Sequence, residues 1–408
     1  MKRLPGIQPS RGCTEPAAIA LAAALAARAA TGSVRAVSVL CDRSTLKNAQ
    51  AARIPGTQGL TGAKLAAALG AIAGDPARRL EALSGTSQRD VERAQRLISG
   101  GTVQVGLHPQ AGRTRIWIEA RVETDAANAL ARLEDAHTRV VALEADGARV
   151  NPPAWASSCG PPLDPSWEGY SLRQVLAEAE CLSGEDAEAL LAALHANLTA
   201  CAWKGPSERG ADLPTRAELL AERGSLARME GYPVTVVTSG FSGNQGLVAS
   251  IPVWIVAEEL GVAERELARA LAVSHLVGSY VRSFTGVLSP LCNAVQAASA
   301  GAAAGCAKLL GGGEGEIERA AKRVLAASGG IVCDGAKPAC SLKVGLGAAQ
   351  AVRAASGVME GTSIELRDGV AAETLEGTAK NLARIAYPGM QLADEELLEV
   401  VLSKTDLS

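Results

Sequence analysis

The stretch Asn151-Pro152-Pro153-Ala154-Trp155-Ala156-Ser157-Ser158-Cys159-Gly160-Pro161-Pro162 divides this chain. Paired prolines and a glycine so close together cannot sit inside a helix or a central strand, so the segment reads as a linker. Upstream, residues 34–40 alternate and are rich in Val, which predicts a strand. Residues 102–107, 114–122 and 139–143 predict further strands, broken at Pro109-Gln110-Ala111-Gly112 and at Asp146-Gly147. Pro16 suits the first turn of a helix that reaches residue 30, and Ala-Leu helices follow the turn-rich Ile54-Pro55-Gly56-Thr57-Gln58-Gly59. Downstream of the linker, apolar spacing and composition predict helices over 185–203, 213–229, 264–280, 294–310 and 342–355. Residues 233–238 read as a strand or extended entry into the next segment. The expected fold class is α+β, with a mixed α/β domain over 1–150 and an all-helical domain over 151–408.

The bulk composition narrows the function. The chain has 408 residues, enough for two domains with a substantial core. Net charge is −3, basic residues are scattered, and aromatics are only 3%, so nucleic-acid stacking has little to work with. Nine cysteines are odd in number and too sparse for a disulfide scaffold, which points to a reducing, cytoplasmic setting. Lys2 and Arg3 precede an apolar stretch over 17–27 that superficially suggests a signal peptide. Gly12-Cys13-Thr14-Glu15-Pro16 intervenes and Arg28 ends the stretch, so a buried helix is expected and no membrane span.

Three strings carry candidate chemistry. Cys333-Asp334-Gly335-Ala336-Lys337-Pro338-Ala339-Cys340 is a polar, Gly-containing loop between helical stretches, and Cys292 opens a long Ala-rich helix. Three thiolates from two loops can hold three irons of a 4Fe–4S cluster and leave the fourth as a Lewis acid. Buried small hydrophobes or a structural zinc site are the alternatives, although no His or Cys pair with the usual spacing supplies a fourth zinc ligand. The first alternative is the stronger one for Cys41, Cys181, Cys201 and Cys306, which lie among apolar neighbours. In Gly12-Cys13-Thr14-Glu15-Pro16, a Cys just before a helix has its thiolate favoured by the helix dipole, or else the motif is simply a cap. Ser242-Gly243-Asn244-Gln245-Gly246 exposes backbone N–H groups at a helix start, where a carboxylate fits, or it is a plain turn. That string also resembles the Ser-x-Gly-Asn loop of β-family pyridoxal-phosphate enzymes, with Gly311-Gly312-Gly313 as phosphate loop and Lys47 as the Schiff-base lysine. His108, His195 and His275 have no supporting pattern.

Taken in order, the strings resemble the iron–sulfur L-cysteine desulfidase family, a serine dehydratase α-subunit-like family more distantly similar to bacterial iron–sulfur L-serine dehydratases. The similarity runs nearly end to end. It passes through Gly12-Cys13-Thr14-Glu15-Pro16, Lys47-Asn48 with Ile54-Pro55-Gly56-Thr57, Ala66-Ala67-Ala68-Leu69-Gly70 with Gly74-Asp75-Pro76, and His137-Thr138. It continues through Arg228-Met229, the 242–246 string, Leu288-Ser289-x-Leu291-Cys292, Cys333-Asp334-Gly335-Ala336-Lys337 and Cys340-x-Leu342-Lys343. The resemblance implies that Cys292, Cys333 and Cys340 ligate a 4Fe–4S cluster in the helical domain. It implies β-elimination on L-cysteine to pyruvate, ammonia and sulfide, without pyridoxal phosphate. Cys13 falls where the distant serine dehydratases place a His in the substrate site. The chain departs from the family in having Cys292-Asn293-Ala294 for Cys-Gly-Cys, Ala339 for the Gly before the last Cys, and Arg282 for a Lys. These departures bear on the substrate.

The expected function is therefore a cluster-dependent β-eliminating deaminase, acting on cysteine first and on serine or a related amino acid second. Cys13 is the expected base, with His137 and Lys47 as lesser candidates. An alternative role for Cys13 is capping the open iron at rest. Ser242, Asn244 and Gln245 are expected to hold the substrate's carboxylate and amine, with Arg228, Thr14 and Asn48 assisting. The partner is a small amino acid, with no nucleic acid and no membrane, and homodimer formation is left open. The competing readings are a pyridoxal-phosphate lyase and an iron–sulfur redox sensor. A sensor would fill all four ligand positions and carry a charged or disordered docking segment, and no such segment is evident.

Overall fold

The computed structural model describes residues 4, 6–109, 116–157, 167, 169–203, 205, 210–361 and 367–404. The linker's Cys159-Gly160-Pro161-Pro162 lies outside these residues, as do Gln110-Ala111-Gly112 and Lys2-Arg3.

The first half mixes helices and strands. A short strand β1 (Pro9–Arg11) leads into α1 (Thr14–Ala30), then β2 (Val34–Cys41), α2 (Arg43–Ala49), α3 (Ala63–Ala73) and α4 (Gln88–Ser99). Strands β3 (Val103–Leu107), β4 (Trp117–Thr124), β5 (Asn128–Glu134), β6 (Val140–Ala145) and β7 (Ala148–Arg149) complete a six-stranded sheet of order β3-β2-β4-β5-β6-β7. Only β2 and β3 run parallel. In β5 burial alternates strictly, with Ala129, Ala131 and Leu133 inward. That strand went unrecognised because its apolar side is mostly Ala, a poor strand former. Helix α1 packs between the sheet and α3 and is buried along almost its whole length. A helix apolar all round belongs inside a core. The signal-like stretch is thus the central helix of the N-terminal core, which gathers Ile19, Leu21, Leu25, Val39, Leu69 and Ile118.

The second half is helical. It comprises α5 (Ala154–Ser157), α6 (Leu172–Glu180), α7 (Gly184–Cys201), α8 (Leu213–Met229), the strand β8 (Thr235–Val237), α9 (Gly243–Leu260) and α10 (Glu264–Thr285). A π-helical turn (Ala294–Ala298) opens α11 (Ser299–Leu309), followed by α12 (Glu314–Ser328), α13 (Cys340–Met359), α14 (Leu375–Arg384) and α15 (Gln391–Leu402). Ala and Gly line the faces of α9, α10, α11 and α13, so the helices pack close around Leu271, Val277, Leu325 and Val352. The observed class is α+β, strands first and helices after. Two elements cross residue 150. Strand β1 pairs antiparallel with β8, and α15 returns to the first half, where Leu398 joins its core. Among the described residues, no helix is long and apolar enough to cross a membrane.

Candidate active site

Several elements end at one cavity of about 100 Å³. From the first half come Cys13, Thr14 and Glu15 at the start of α1, Asn48 on α2, and His137 in the β5–β6 turn. From the second come Arg228 at the end of α8, the 240–245 turn into α9, Cys292, and the Cys333–Cys340 loop. Local chemistry sets each one. Cys13 takes the N-cap position of α1 in extended geometry but makes no capping bond, so its thiol is free to turn inward. Asp42 caps α2 by accepting from the Thr45 N–H at 2.9 Å, which fixes the helix that carries Asn48. Cys292 and Cys333 follow the two residues of an antiparallel bridge, Leu291 and Val332. The Cys292 N–H bonds Ile331 O at 2.9 Å, and the Cys333 N–H bonds Pro290 O at 2.6 Å. Cys340 is the first residue of α13.

The 239–243 turn is held between two guanidiniums. Gly240 has φ +54, and a Cβ there would stand 1.9 Å from the Arg282 guanidinium. A Cβ on Gly243 would stand 2.5 Å from Arg228 Nε. Glycine is required at both positions for the backbone to come this close. Arg228 donates from Nη1 to Asn244 Oδ1 at 2.9 Å and from Nη2 to Thr14 Oγ1 at 3.0 Å. Ser225 also donates to Asn244 Oδ1, at 3.1 Å. With its oxygen engaged twice, Asn244 keeps its two amide N–H donors for a ligand. Gln245, which lines the cavity, accepts on Oε1 from Arg282 Nη1 at 3.2 Å.

Glu15 is the hub of the opposite wall. It accepts the Cys13 thiol at 3.0 Å on Oε2 and the Asn48 amide at 3.1 Å on Oε1. His137 Nε2 stands 3.8 Å from Oε1. His137 is 2% exposed, and neither of its ring nitrogens makes a hydrogen bond. Burial alone would raise the Glu15 carboxyl, but His137 and the Cys13 thiol outweigh it and hold it down to about 2. The same proximity acts the other way on Cys13. Burial and the Glu15 charge push its thiol well above the ordinary range, and Arg228 only partly opposes them. Cys13 is thus a neutral donor in this state, not a thiolate. Arg228 is lowered by burial against the pull of Cys13, Glu15 and Cys340.

The three loop cysteines share the cavity's third wall. Burial and the neighbouring Cys333 and Cys340 charges push Cys292 up to about 12, while the Val295 N–H and Lys343 pull it down. The thiols are close enough to feel one another's charge. Among the described residues, however, no three His, Cys, Asp or Glu side chains converge closely enough to hold a single metal ion. A cubane cluster does not require that convergence, because each thiolate binds a different iron. Lys343 sits beside them, bonded to Val332 O at 2.8 Å and to Asp334. Although burial opposes it, Lys337 and Lys343 bring Asp334 down to about 2. Positive charge beside three potential thiolates suits an anionic group there. Asn293, where the resembling family has Gly, staples the loop before it by donating to Gly286 O at 2.9 Å and accepting from Thr285 Oγ1 at 3.2 Å.

The structure thus brings together eleven of the twelve residues singled out from the sequence: Cys13, Thr14, Asn48, His137, Arg228, Ser242, Asn244, Gln245, Cys292, Cys333 and Cys340. Lys47 is not among them. It is fully buried with its ammonium 2.5 Å from Asp394 Oδ1 on α15, away from the cavity lining. Residues 311–313 lie in the α11–α12 turn and do not line the cavity either. The parts of a pyridoxal-phosphate site are therefore not assembled. Cys41, Cys201 and Cys306 are fully buried as expected, whereas Cys181 is exposed at the end of α6. Sequence reasoning missed Glu15 and Lys343. Glu15 was visible only as an acidic residue in a first turn, where a dipole role suffices. Lys343, three residues after Cys340 on one helical face, was legible from spacing. His275, left without a role, lies under the turn with Nδ1 3.0 Å from Ser239 Oγ, and burial and Arg282 lower it to about 4.

Known proteins resemble this chain along nearly its whole length. A model of the family described as serine dehydratase alpha chain matches residues 168–399. The UPF0597 protein of Caldanaerobacter subterraneus subsp. tengcongensis is 33% identical over 98% of this chain and 96% of its own. That of Desulfatibacillum aliphaticivorans is 34% identical over 98% of this chain and 96% of its own. That of Geobacter sulfurreducens is 34% identical over 97% and 96%.

Proposed function

We propose, on the premise that this chain belongs to the serine dehydratase alpha chain family, that it is a lyase of amino-acid metabolism. It eliminates the β-substituent of a small L-amino acid, with L-cysteine the first substrate and L-serine the second. The observation that carries this reading is the shared cavity, where three loop cysteines face the Arg228–Asn244 pair and the Glu15–His137 wall. Cys292, Cys333 and Cys340 would hold a 4Fe–4S cluster. When bound, such a cluster supplies a Lewis-acidic iron that eases departure of a thiolate or hydroxide from Cβ.

The remaining work falls to the chain's own side chains. Arg228 and the Asn244 amide bind the substrate carboxylate, with Ser242 and Gln245 beside them. A proton must leave Cα. Cys13 is protonated and donates to Glu15, so it is a poor acceptor in this state. His137 lines the cavity beside Glu15 with neither ring nitrogen hydrogen-bonded, and in its neutral form it is the base of this reading. Loss of the Cα proton with hydrosulfide or hydroxide leaves 2-aminoacrylate. This tautomerises to the imine, which water hydrolyses to pyruvate and ammonia.

The test is anaerobic reconstitution with iron and sulfide, followed by assay of pyruvate and sulfide from L-cysteine and of pyruvate from L-serine. A reconstituted chain that releases pyruvate from neither sinks the reading. A visible band bleached by borohydride would instead support pyridoxal phosphate.

A further inference from the structure

We infer that Glu15 is the anchor for the substrate's α-ammonium group, opposite Arg228 and Asn244, so that the cavity selects zwitterionic α-amino acids over the corresponding 2-hydroxy acids. This rests on the lyase reading and adds to it a residue and a specificity. Glu15 lines the cavity, and the residue before it, Thr14, accepts the Arg228 guanidinium. The cavity therefore offers a carboxylate across from a fixed cation, the two joined through Thr14. An amino acid carries its own two charges on neighbouring atoms and can bridge such a pair. Each Glu15 oxygen already accepts one internal donor, Cys13 on Oε2 and Asn48 on Oε1. A carboxylate oxygen has two lone pairs, so one remains on each for an ammonium, which has three donors to give.

Two further observations point to a ligand here. His137 is buried in the same wall with Nε2 3.8 Å from Glu15 Oε1, and its Nδ1 makes no hydrogen bond, although buried polar atoms are normally satisfied. The Asn244 amide likewise keeps its donors on the facing wall. Glu15 is also held ionised far below neutral pH, which suits a fixed counter-charge and makes it a weak base. An ammonium would add charge-assisted hydrogen bonds that a hydroxyl cannot match.

The experiment measures binding and does not depend on turnover. L-Alanine and L-lactate both lack a leaving group and differ only at the α-substituent. Their affinities for the intact chain are measured by anaerobic calorimetry. Wild type should prefer L-alanine by about 10- to 100-fold, the worth of a charge-assisted hydrogen bond. Glu15→Gln should lose most of that preference by weakening L-alanine alone. Glu15→Asp, which keeps the charge, should retain the preference and guards against a folding artefact. Arg228→Lys should weaken both ligands together. An unchanged preference in Glu15→Gln overturns the Glu15 assignment alone, as does equal loss of both ligands. Failure of wild type to bind L-alanine at all overturns the amino-acid reading and this proposal with it.

Discussion

Lys47 offers a decisive perturbation, because its residue type suggests chemistry and its surroundings suggest structure. Its ammonium lies 2.5 Å from Asp394 Oδ1, and both side chains are essentially without solvent contact. The pair ties α2 to α15, and α2 carries Asn48. Lys47→Met keeps the length and removes the charge, leaving Asp394 buried without its main partner. Breaking a buried pair in this way costs about 3–5 kcal/mol. Arg43 remains within 3.9 Å of Asp394 Oδ2 and should keep the loss near the lower end, about 3 kcal/mol. Removing both charges in Lys47→Met/Asp394→Leu should restore most of the stability, since a buried ion pair and a well-packed apolar pair are often near equal. Urea denaturation of the wild type, the two single variants and the double variant gives the comparison. The double variant should also regain turnover. A single variant as stable as wild type would show that the pair contributes nothing. A stable, folded double variant without turnover would return Lys47 to the chemistry and refute the structural assignment.

Four other outcomes are expected. Ala at Cys292, Cys333 or Cys340 should abolish retained iron after reconstitution, whereas Ala at Cys41, Cys201 or Cys306 should leave it intact; iron analysis decides. His137→Gln should cut kcat by ~10²–10⁴, the usual worth of a general base, while Cys13→Ser should keep most turnover; the reverse ranking would make Cys13 the base. Asn244→Ala should raise KM with the iron content unchanged, because its amide binds substrate in ground and transition states alike; a normal KM would reduce the 242–246 turn to architecture. The ionised Glu15 stabilises the fold because its carboxyl sits near 2 rather than 4.5. That contribution is fully present above about pH 4.5 and fades as pH falls toward 2, so the stability gap between wild type and Glu15→Gln should close across that window in acid titrations.

What could be read from the sequence followed the strength of local signals. The helix expected over 213–229 is α8 to the residue, because Asp212 caps it and Pro214 fits its first turn. The extended stretch at 34–40 became β2, one residue longer, since Val-rich alternation is a strong strand pattern. The helix expected over 294–310 opens instead with a π turn, where Gln296 donates to Ser328 O at the end of α12. Periodicity carries no trace of that. The cavity residues were legible because reactive or polar types stand beside glycine or at helix ends: Cys after Gly12, Asn after Gly243, Arg228 at the end of α8. Their meeting was implied by the resemblance alone, because local patterns carry no trace of β1 pairing with β8 or of α15 folding back, contacts between segments more than 200 residues apart. The pairing of Lys47 was hidden for the same reason. Its partner, Asp394, lies 347 residues away.

The central claim is that three cysteines and an amino-acid site form one working centre. It is tested most directly by following pyruvate formation from L-cysteine as iron is loaded anaerobically into the purified chain. Turnover should rise with bound iron, reach its maximum near four irons per chain, and release one sulfide for each pyruvate. Pyruvate formation that is independent of iron, or a fully loaded chain inert toward both L-cysteine and L-serine, would contradict it.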